Sequence, residues 1–182
     1  LRLARKQPAV RNAILGISWF WFFGTLLTAQ LPTYAIKHLG GDETLYIFAL
    51  ALFSIGTGVG SLLCEKLSQR TVEIGLVPFG ALGMTAFCID LYFARPGSAT
   101  ASGLDIAAFL QQPGSWRISA DLTLIGLFAG LYAVPLFALV QSRTPRSELS
   151  RVIAALNIQN AVFIVTAAVS ALLLQRLFGW SI

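Results

Sequence analysis

Three carboxamides lie close together in the last apolar stretch of the chain: Asn157, Gln159 and Asn160. At about 100° of rotation per helical residue, Asn157 and Asn160 share a helix face, whereas Gln159 points to nearly the opposite side. A carboxamide both donates and accepts hydrogen bonds, so this pair can bond to a neighbouring helix or contact a polar ligand in a water-accessible cavity. The sequence leaves both interpretations open.

Tyr132 and Pro135 lie in the preceding apolar stretch and add an aromatic hydroxyl and a helix kink to this polar face. At about 1.5 Å per residue, the two asparagines lie roughly 9 and 14 Å from Arg151, and Tyr132 reaches a similar height. Pro135 lacks an amide hydrogen, so it frees a backbone carbonyl and bends its helix. A kinked helix beside an amide face is typical of transporters, and we predict that Tyr132, Asn157 and Asn160 line a central cavity.

The sequence places no acid or base at the middle of an apolar stretch. Asp90 and Asp121 fall near the ends of their stretches, where a carboxylate can reach solvent. The scattered acids and the single histidine show no spacing typical of a metal site or of a nucleophile with its base. We therefore predict no catalytic residue, metal, cofactor or proton relay here. Coupling to protons would need residues beyond this chain; otherwise transport follows the substrate gradient.

Five apolar stretches must position these side chains, at residues 13–36, 45–63, 72–93, 119–140 and 152–174. Each has roughly 19 to 24 residues, enough for a helix to cross about 30 Å of hydrocarbon. Charged residues make up 12% of the chain and apolar residues 56%, whereas soluble domains carry about 25% charged residues. The pattern predicts an all-α membrane protein with five transmembrane helices, and a soluble helical core is the alternative.

If each of the five stretches crosses a membrane once, lysine and arginine are divided unequally between its two sides. The amino end and every second loop carry nine: Arg2, Arg5, Lys6, Arg11, Lys66, Arg70, Arg143, Arg146 and Arg151. The other side carries four: Lys37, Arg95, Arg117 and Arg176. The positive-inside bias predicts a cytoplasmic amino end, with residues 1–12 as a cytoplasmic linker. Because the basic residues form no continuous stripe, we do not expect nucleic acid as a partner.

An aromatic block at residues 19–23 lies about 10 to 16 Å along the first stretch. Aromatic belts usually lie at membrane interfaces, so a block at this depth suits the wall of a lipid-sized cavity. The alternative is that Trp19, Trp21 and their neighbours pack against lipid or other helices.

Small residues repeat at four-residue spacing in the second and fourth stretches: Ser54 with Gly58, Gly56 with Gly60, and Gly126 with Gly130. Pairs of this kind let two helix backbones approach closely in a membrane. We predict that all three pairs pack against neighbouring helices.

Residues 61–70, after the second stretch, resemble the loop signature of the major facilitator superfamily: a small residue, an acid four positions later, and then basic residues. Ser61 stands where the signature has its first glycine, and Glu65 stands where it has aspartate. In that superfamily, twelve spans form two six-helix halves around a central cavity.

Residues 109–161 resemble a narrower group, the lysophospholipid transporters. The similarity is greatest to the form fused to a 2-acylglycerophosphoethanolamine acyltransferase and acyl-carrier-protein synthetase. It rests on the segments 113–117, 130–141 and 151–161. Leu156 stands where that group is expected to have a second asparagine beside Asn157.

The resemblance implies that residues 13–182 are part of a carboxy-terminal transporter half, with the five stretches as spans seven to eleven. Its partners would be membrane lipids and further parts of the same protein: an amino-terminal six-helix half, a twelfth span and a fused acyltransferase. The implied activity is flipping of lysophosphatidylethanolamine-like lipids across the bacterial inner membrane by alternating access.

The same resemblance implies roles for individual residues. Tyr132, Asn157 and Asn160 would contact the headgroup or line the cavity, and Trp19 and Trp21 would line the side that holds the acyl chain. Cytoplasmic gate charges would be Glu65, Lys66, Arg70, Arg143 and Arg151, for which a simple topological role is equally open. Two other functions remain: a facilitator that exports small amphiphiles or drugs, and a non-transporting membrane anchor for the fused acyltransferase.

Overall fold

Five long helices account for most of the chain in the computed structural model, which describes residues 7–68, 72–94 and 103–178. They are α1 (Pro8–Thr33), α2 (Glu43–Leu67), α3 (Leu76–Phe93), α5 (Ser115–Arg143) and α6 (Leu149–Phe178), with the short helix α4 (Ile106–Leu110) between α3 and α5. Each long helix is apolar enough and long enough to cross a membrane. The predicted all-α fold with five transmembrane helices is therefore confirmed.

The first helix begins earlier, and the third begins later, than the apolar stretches predicted. α1 begins at Pro8, inside the predicted linker, because a proline at the first helical position has no amide hydrogen to leave unpaired. α3 begins only at Leu76, because Ile74 and Gly75 form a turn before it. α1 also continues as a single π-helical turn, Tyr34–His38, just after Pro32 interrupts the regular hydrogen bonds.

α5 is the central helix of the bundle. In its most apolar part 50% of the residues are buried, against 22% or fewer in each of the other four long helices. It packs on α1, α2 and α3, and α6 packs on α1. α1, α3 and α6 run in one direction and α2 and α5 in the other. We name the two ends of the bundle after α5: the Arg117 end, where it begins, and the Arg143 end, where it finishes.

Glycines bring the backbones of α2 and α5 into contact. A Cβ atom on Gly60 would overlap the backbone of Leu127, and one on Gly126 would overlap the backbone of Phe53. The prediction that Gly56–Gly60 and Gly126–Gly130 pack against a neighbouring helix is therefore confirmed.

The Ser54–Gly58 pair lies on the opposite side of α2, where both residues are exposed. No atom among the described residues comes within 4 Å of a Cβ built on Gly58. Within the described residues this pair meets no other helix, because successive residues around a helix face different neighbours and only one stripe meets α5. The prediction that it packs against a neighbour stays a prediction.

Asp42 caps the amino end of α2 and ties down the turn before it. Its carboxylate accepts hydrogen bonds from the Thr44 hydroxyl (2.6 Å) and from the Thr44 and Leu45 amides (2.8 and 3.1 Å). These bonds, the Thr44 hydroxyl first among them, lower the pKa of the Asp42 carboxyl below its usual 3.8.

The cap predicts a pH-dependent stability difference. A carboxyl whose pKa is lowered by folding stabilises the fold at neutral pH, and this contribution is lost as the pH falls through the folded-state value. We expect Asp42→Ala to lower the thermal midpoint at neutral pH, with the gap to wild type closing below about pH 4. Asp42→Asn still caps but does not titrate, so it should lose less than alanine at neutral pH and keep a constant gap to Asp42→Ala across the same pH range. A constant deficit of Asp42→Ala relative to wild type at every pH would contradict the assignment.

Candidate functional site

A cavity of about 620 Å³ lies between α1, α3 and α5. We call it the α1–α3 cavity. Its walls are mainly apolar and aromatic, as expected for a site that receives an apolar ligand. The lining residues are Trp19, Phe23, Ala81, Met84, Thr85, Cys88, Ile89, Tyr92, Phe93 and Tyr132.

Trp19 and Tyr132, two predicted site residues, meet at this cavity. Trp19 stacks on Phe22 with a centroid distance of 5.1 Å and remains 58% exposed. Tyr132 is 9% exposed, stacks on Phe20 at 6.0 Å and donates its hydroxyl hydrogen to the Gly16 carbonyl oxygen at 3.1 Å. Tyr132 is therefore a buried, hydrogen-bonded part of the wall, and Trp19 is a largely exposed part of it.

A second cavity of about 430 Å³ continues the first towards the Arg117 end. We call it the α1–α6 cavity, and it shares Phe23, Cys88 and Tyr92 with the α1–α3 cavity. Its remaining lining residues are Leu26, Leu27, Gln30, Leu31, Tyr34, Leu91, Ala171, Leu174 and Gln175. The two cavities therefore adjoin, and we refer to them together as the apolar channel. Its polar lining residues Gln30, Tyr34 and Gln175 lie near the Arg117 end.

Two of those polar residues have unpartnered atoms. The side-chain carbonyl oxygen of Gln30 and the hydroxyl of Tyr34 are buried and have no hydrogen-bond partner among the described residues. The residues are four apart on α1, so they share one helix face. Buried polar atoms of this kind usually have a partner, which suggests that this end of the channel meets a polar group or water.

The two asparagines of α6 have different environments. Asn160 is 7% exposed, and its side-chain oxygen accepts a hydrogen bond from the Ser18 hydroxyl of α1 at 2.9 Å. Asn157 is exposed and lies outside the lining of both cavities. The two residues differ by about 60° around the helix, enough for one to enter the α1 contact and the other to miss it. The sequence left open whether these amides bond to a neighbouring helix or line a cavity. Asn160 bonds to a neighbouring helix.

The Ser18–Asn160 bond predicts a modest, specific stability loss. Asn160→Leu removes the acceptor, and we expect it to cost about 0.6 to 1.7 kcal/mol, the range of hydrogen bonds between membrane helices. The loss stays at this level because the Ser18 hydroxyl can turn to a carbonyl of its own helix. Reversible unfolding of the full-length protein in mixed micelles measures it, with Asn157→Leu as the matched control. Equal losses in both variants would contradict the assignment.

A polar group at the Arg117 end was missed by the sequence interpretation. Arg117 of α5 donates to the carboxylate of Asp90 of α3 through Nε at 2.9 Å and through a second guanidinium nitrogen. Asp121, one turn further along α5, is only 2% exposed. The expectation that Asp121 reaches solvent is therefore wrong, because distance along a helix measures depth but says nothing about sideways burial. The four-residue spacing from Arg117 was the available signal.

Comparison with known proteins identifies the family. Residues 1–168 match the family model of the Major Facilitator Superfamily. The chain belongs to the major facilitator superfamily. No curated protein and no solved structure matches it. The members of this superfamily are membrane transporters. Together with the five apolar helices of this chain, the match identifies a multi-pass membrane protein, which we call the facilitator.

The other predicted site residues that the structure describes lie outside the lining of both cavities. Trp21 is 42% exposed and meets the edge of Phe20 at 6.3 Å. Four of the predicted gate charges are exposed at the Arg143 end: Glu65, Lys66, Arg143 and Arg151. Arg70 lies outside the described residues. The fold thus gathers these charges at one end, as either a gate or a topology signal requires.

Proposed function

We propose that this facilitator flips single-chain phospholipids, such as lysophosphatidylethanolamine, across a bacterial inner membrane. The observation that carries the proposal is the apolar channel formed by the α1–α3 and α1–α6 cavities, with Gln30 and Tyr34 near one end. A water-filled passage would cost an acyl chain about 0.8 kcal/mol for each methylene exposed, whereas apolar walls let the chain leave the bilayer without that cost. A channel with apolar walls and unpartnered polar atoms at one end suits a ligand with one tail and one polar head.

The similarity of residues 109–161 to lysophospholipid transporters supports the same substrate class. That segment includes much of α5, with Tyr132 in the wall of the α1–α3 cavity, and the first part of α6 with Asn157 and Asn160. In this proposal the acyl chain contacts Trp19 and Tyr132. Asn157 contributes from the exposed face of α6, and Asn160 has the structural role of joining α6 to α1.

Alternating access requires a second body against which these helices rock. We propose that residues 13–182 are part of a carboxy-terminal half, and that an amino-terminal half and a twelfth span of the same protein complete the transporter. The lysine and arginine count favours the Arg143 end as the cytoplasmic one.

Export of other small amphiphiles is the second candidate, because a mainly apolar channel also accepts apolar drugs. Uptake of labelled lysophosphatidylethanolamine by cells expressing the intact gene distinguishes the two. We expect uptake above that of cells carrying the empty vector. Efflux of amphiphilic dyes without lipid uptake would favour the exporter, and neither activity beside intact lipid reacylation would favour an anchor for a fused acyltransferase.

A further inference from the structure

Gln30 and Tyr34 line the apolar channel with polar atoms that lack a hydrogen-bond partner among the described residues. They lie about 6 Å apart along the axis of α1 and its π-helical continuation. The side-chain oxygen of Gln30 can only accept a hydrogen bond, whereas the hydroxyl of Tyr34 can also donate one. The pair therefore fits a ligand that presents a hydrogen-bond donor to Gln30 and an acceptor to Tyr34.

The order of residues along α1 fixes which part of a lipid meets this pair. Trp19 and Phe23 line the α1–α3 cavity, and Gln30 and Tyr34 follow them towards the Arg117 end in the α1–α6 cavity. Gln30 lies about 16 Å along the helix from Trp19. With the acyl chain beside Trp19, the glycerol of the same lipid reaches Gln30 first, and the headgroup phosphate comes next beside Tyr34.

A lysophospholipid has a free glycerol hydroxyl at the position where a diacyl phospholipid has its second ester. The hydroxyl can donate a hydrogen bond, whereas the oxygens of an ester can only accept one. A lysolipid therefore supplies the donor that the Gln30 oxygen lacks, and a diacyl lipid would place an acceptor against an acceptor. A site built to bond a ligand hydroxyl discriminates strongly against a ligand without it.

We propose that Gln30 recognises the free glycerol hydroxyl of a lysophospholipid and that Tyr34 donates a hydrogen bond to its phosphate. This inference rests on the proposed function, because it assigns the ligand of the same channel. Both atoms are enclosed in this conformation, so the two side chains turn towards the cavity that they line when the lipid binds. Neither atom has a hydrogen bond to a described residue, so the turn breaks none of these.

A lipid analogue tests the hydroxyl contact without any change to the protein. The probe is a deoxy form of lysophosphatidylethanolamine, which lacks only the glycerol hydroxyl and adds no bulk. We expect full-length wild type in liposomes to take up the lysolipid about tenfold more efficiently than the deoxy form, as the loss of one hydrogen bond predicts. Equal uptake of the two lipids would overturn the inference and leave the proposed function standing.

Gln30→Leu assigns the preference to one residue, with Gln175→Leu as the matched control. Gln175 is the same residue type and lines the same cavity from α6, but its side chain is exposed. We expect the preference for the lysolipid over the deoxy form to disappear in Gln30→Leu and to stay at about tenfold in Gln175→Leu. Retention of the preference in Gln30→Leu, or its loss in both variants, would overturn the assignment.

Tyr34→Phe tests the phosphate contact separately. The variant removes the hydroxyl and keeps the ring, which stacks on His38 at a centroid distance of 6.0 Å. Because both lipids have the phosphate, we expect uptake of each to fall about tenfold while the preference between them is unchanged. Unchanged uptake would overturn the role of Tyr34. Absence of uptake of either lipid by wild type would instead reject the proposed function, and this inference with it.

Discussion

A bulky side chain introduced on α3 to fill the α1–α3 cavity should abolish most lipid transport while leaving the protein folded. Thr85 lines the cavity, and among the described residues its hydroxyl bonds only to the Ala81 carbonyl of its own helix at 2.8 Å. Replacing it therefore breaks no hydrogen bond to another described helix. The indole of Thr85→Trp would occupy space that the acyl chain needs. We expect the initial rate of lysophosphatidylethanolamine uptake to fall about tenfold or more, equivalent to about 1.4 kcal/mol of lost binding.

Leu82→Trp is the matched control for this experiment. Leu82 lies on the same helix, is 70% exposed and does not line either cavity, so the same indole there leaves the channel open. We expect uptake close to wild type. Equal loss in both variants, at equal amounts of protein in the membrane, would mean that bulk on α3 disturbs transport without reference to the cavity.

Adding one methyl group at Gly60 should destabilise the bundle markedly. The new Cβ would overlap the backbone of Leu127, and backbone atoms cannot rotate away as the end of a side chain can. The helices α2 and α5 would have to separate, and overpacking of this kind costs about 1 to 3 kcal/mol. Thermal unfolding of the full-length protein in detergent measures the loss.

Gly58→Ala tests whether the loss comes from the α2–α5 contact or from replacing any glycine of α2. Gly58 is also in the interior of α2, but nothing among the described residues lies near its Cβ direction. Alanine there gains up to about 1 kcal/mol of helix propensity. We expect a midpoint equal to wild type or higher. A large loss at Gly58 would indicate a packing partner on the open face of α2, whereas an unchanged midpoint for Gly60→Ala would contradict the α2–α5 contact.

The five transmembrane helices were predictable because length and apolar composition alone decide whether a helix can cross a bilayer. Their ends were less predictable, since Pro8 extends α1 and the turn at Gly75 shortens α3. Small-residue spacing found the α2–α5 contact at Gly56 and Gly60. It could not distinguish this pair from Ser54 and Gly58, because spacing along one helix does not say where the partner helix lies.

Part of the candidate site was predictable from the position of each residue along its helix. The depth of the aromatic block suggested Trp19, and a height similar to that of the asparagines suggested Tyr132; both residues line the α1–α3 cavity. Depth alone could not separate buried Asn160 from exposed Asn157, nor show that Asp121 is buried. These differences depend on which helices are neighbours, which is a property of the fold.

Fluorescence quenching of Trp19 by lysophosphatidylethanolamine with a brominated acyl chain tests most directly whether a single-chain lipid enters the α1–α3 cavity. The experiment uses full-length protein in unbrominated liposomes, with Trp19 or Trp116 as the sole tryptophan. Trp116 is the control because it is 71% exposed at the start of α5 and lines neither cavity. We predict strong, saturable quenching of Trp19 and weak quenching of Trp116 that rises in proportion to the added lipid. Equal, unsaturable quenching of both would show that the lipid is only dissolved in the bilayer, and would contradict the proposed occupant of the cavity.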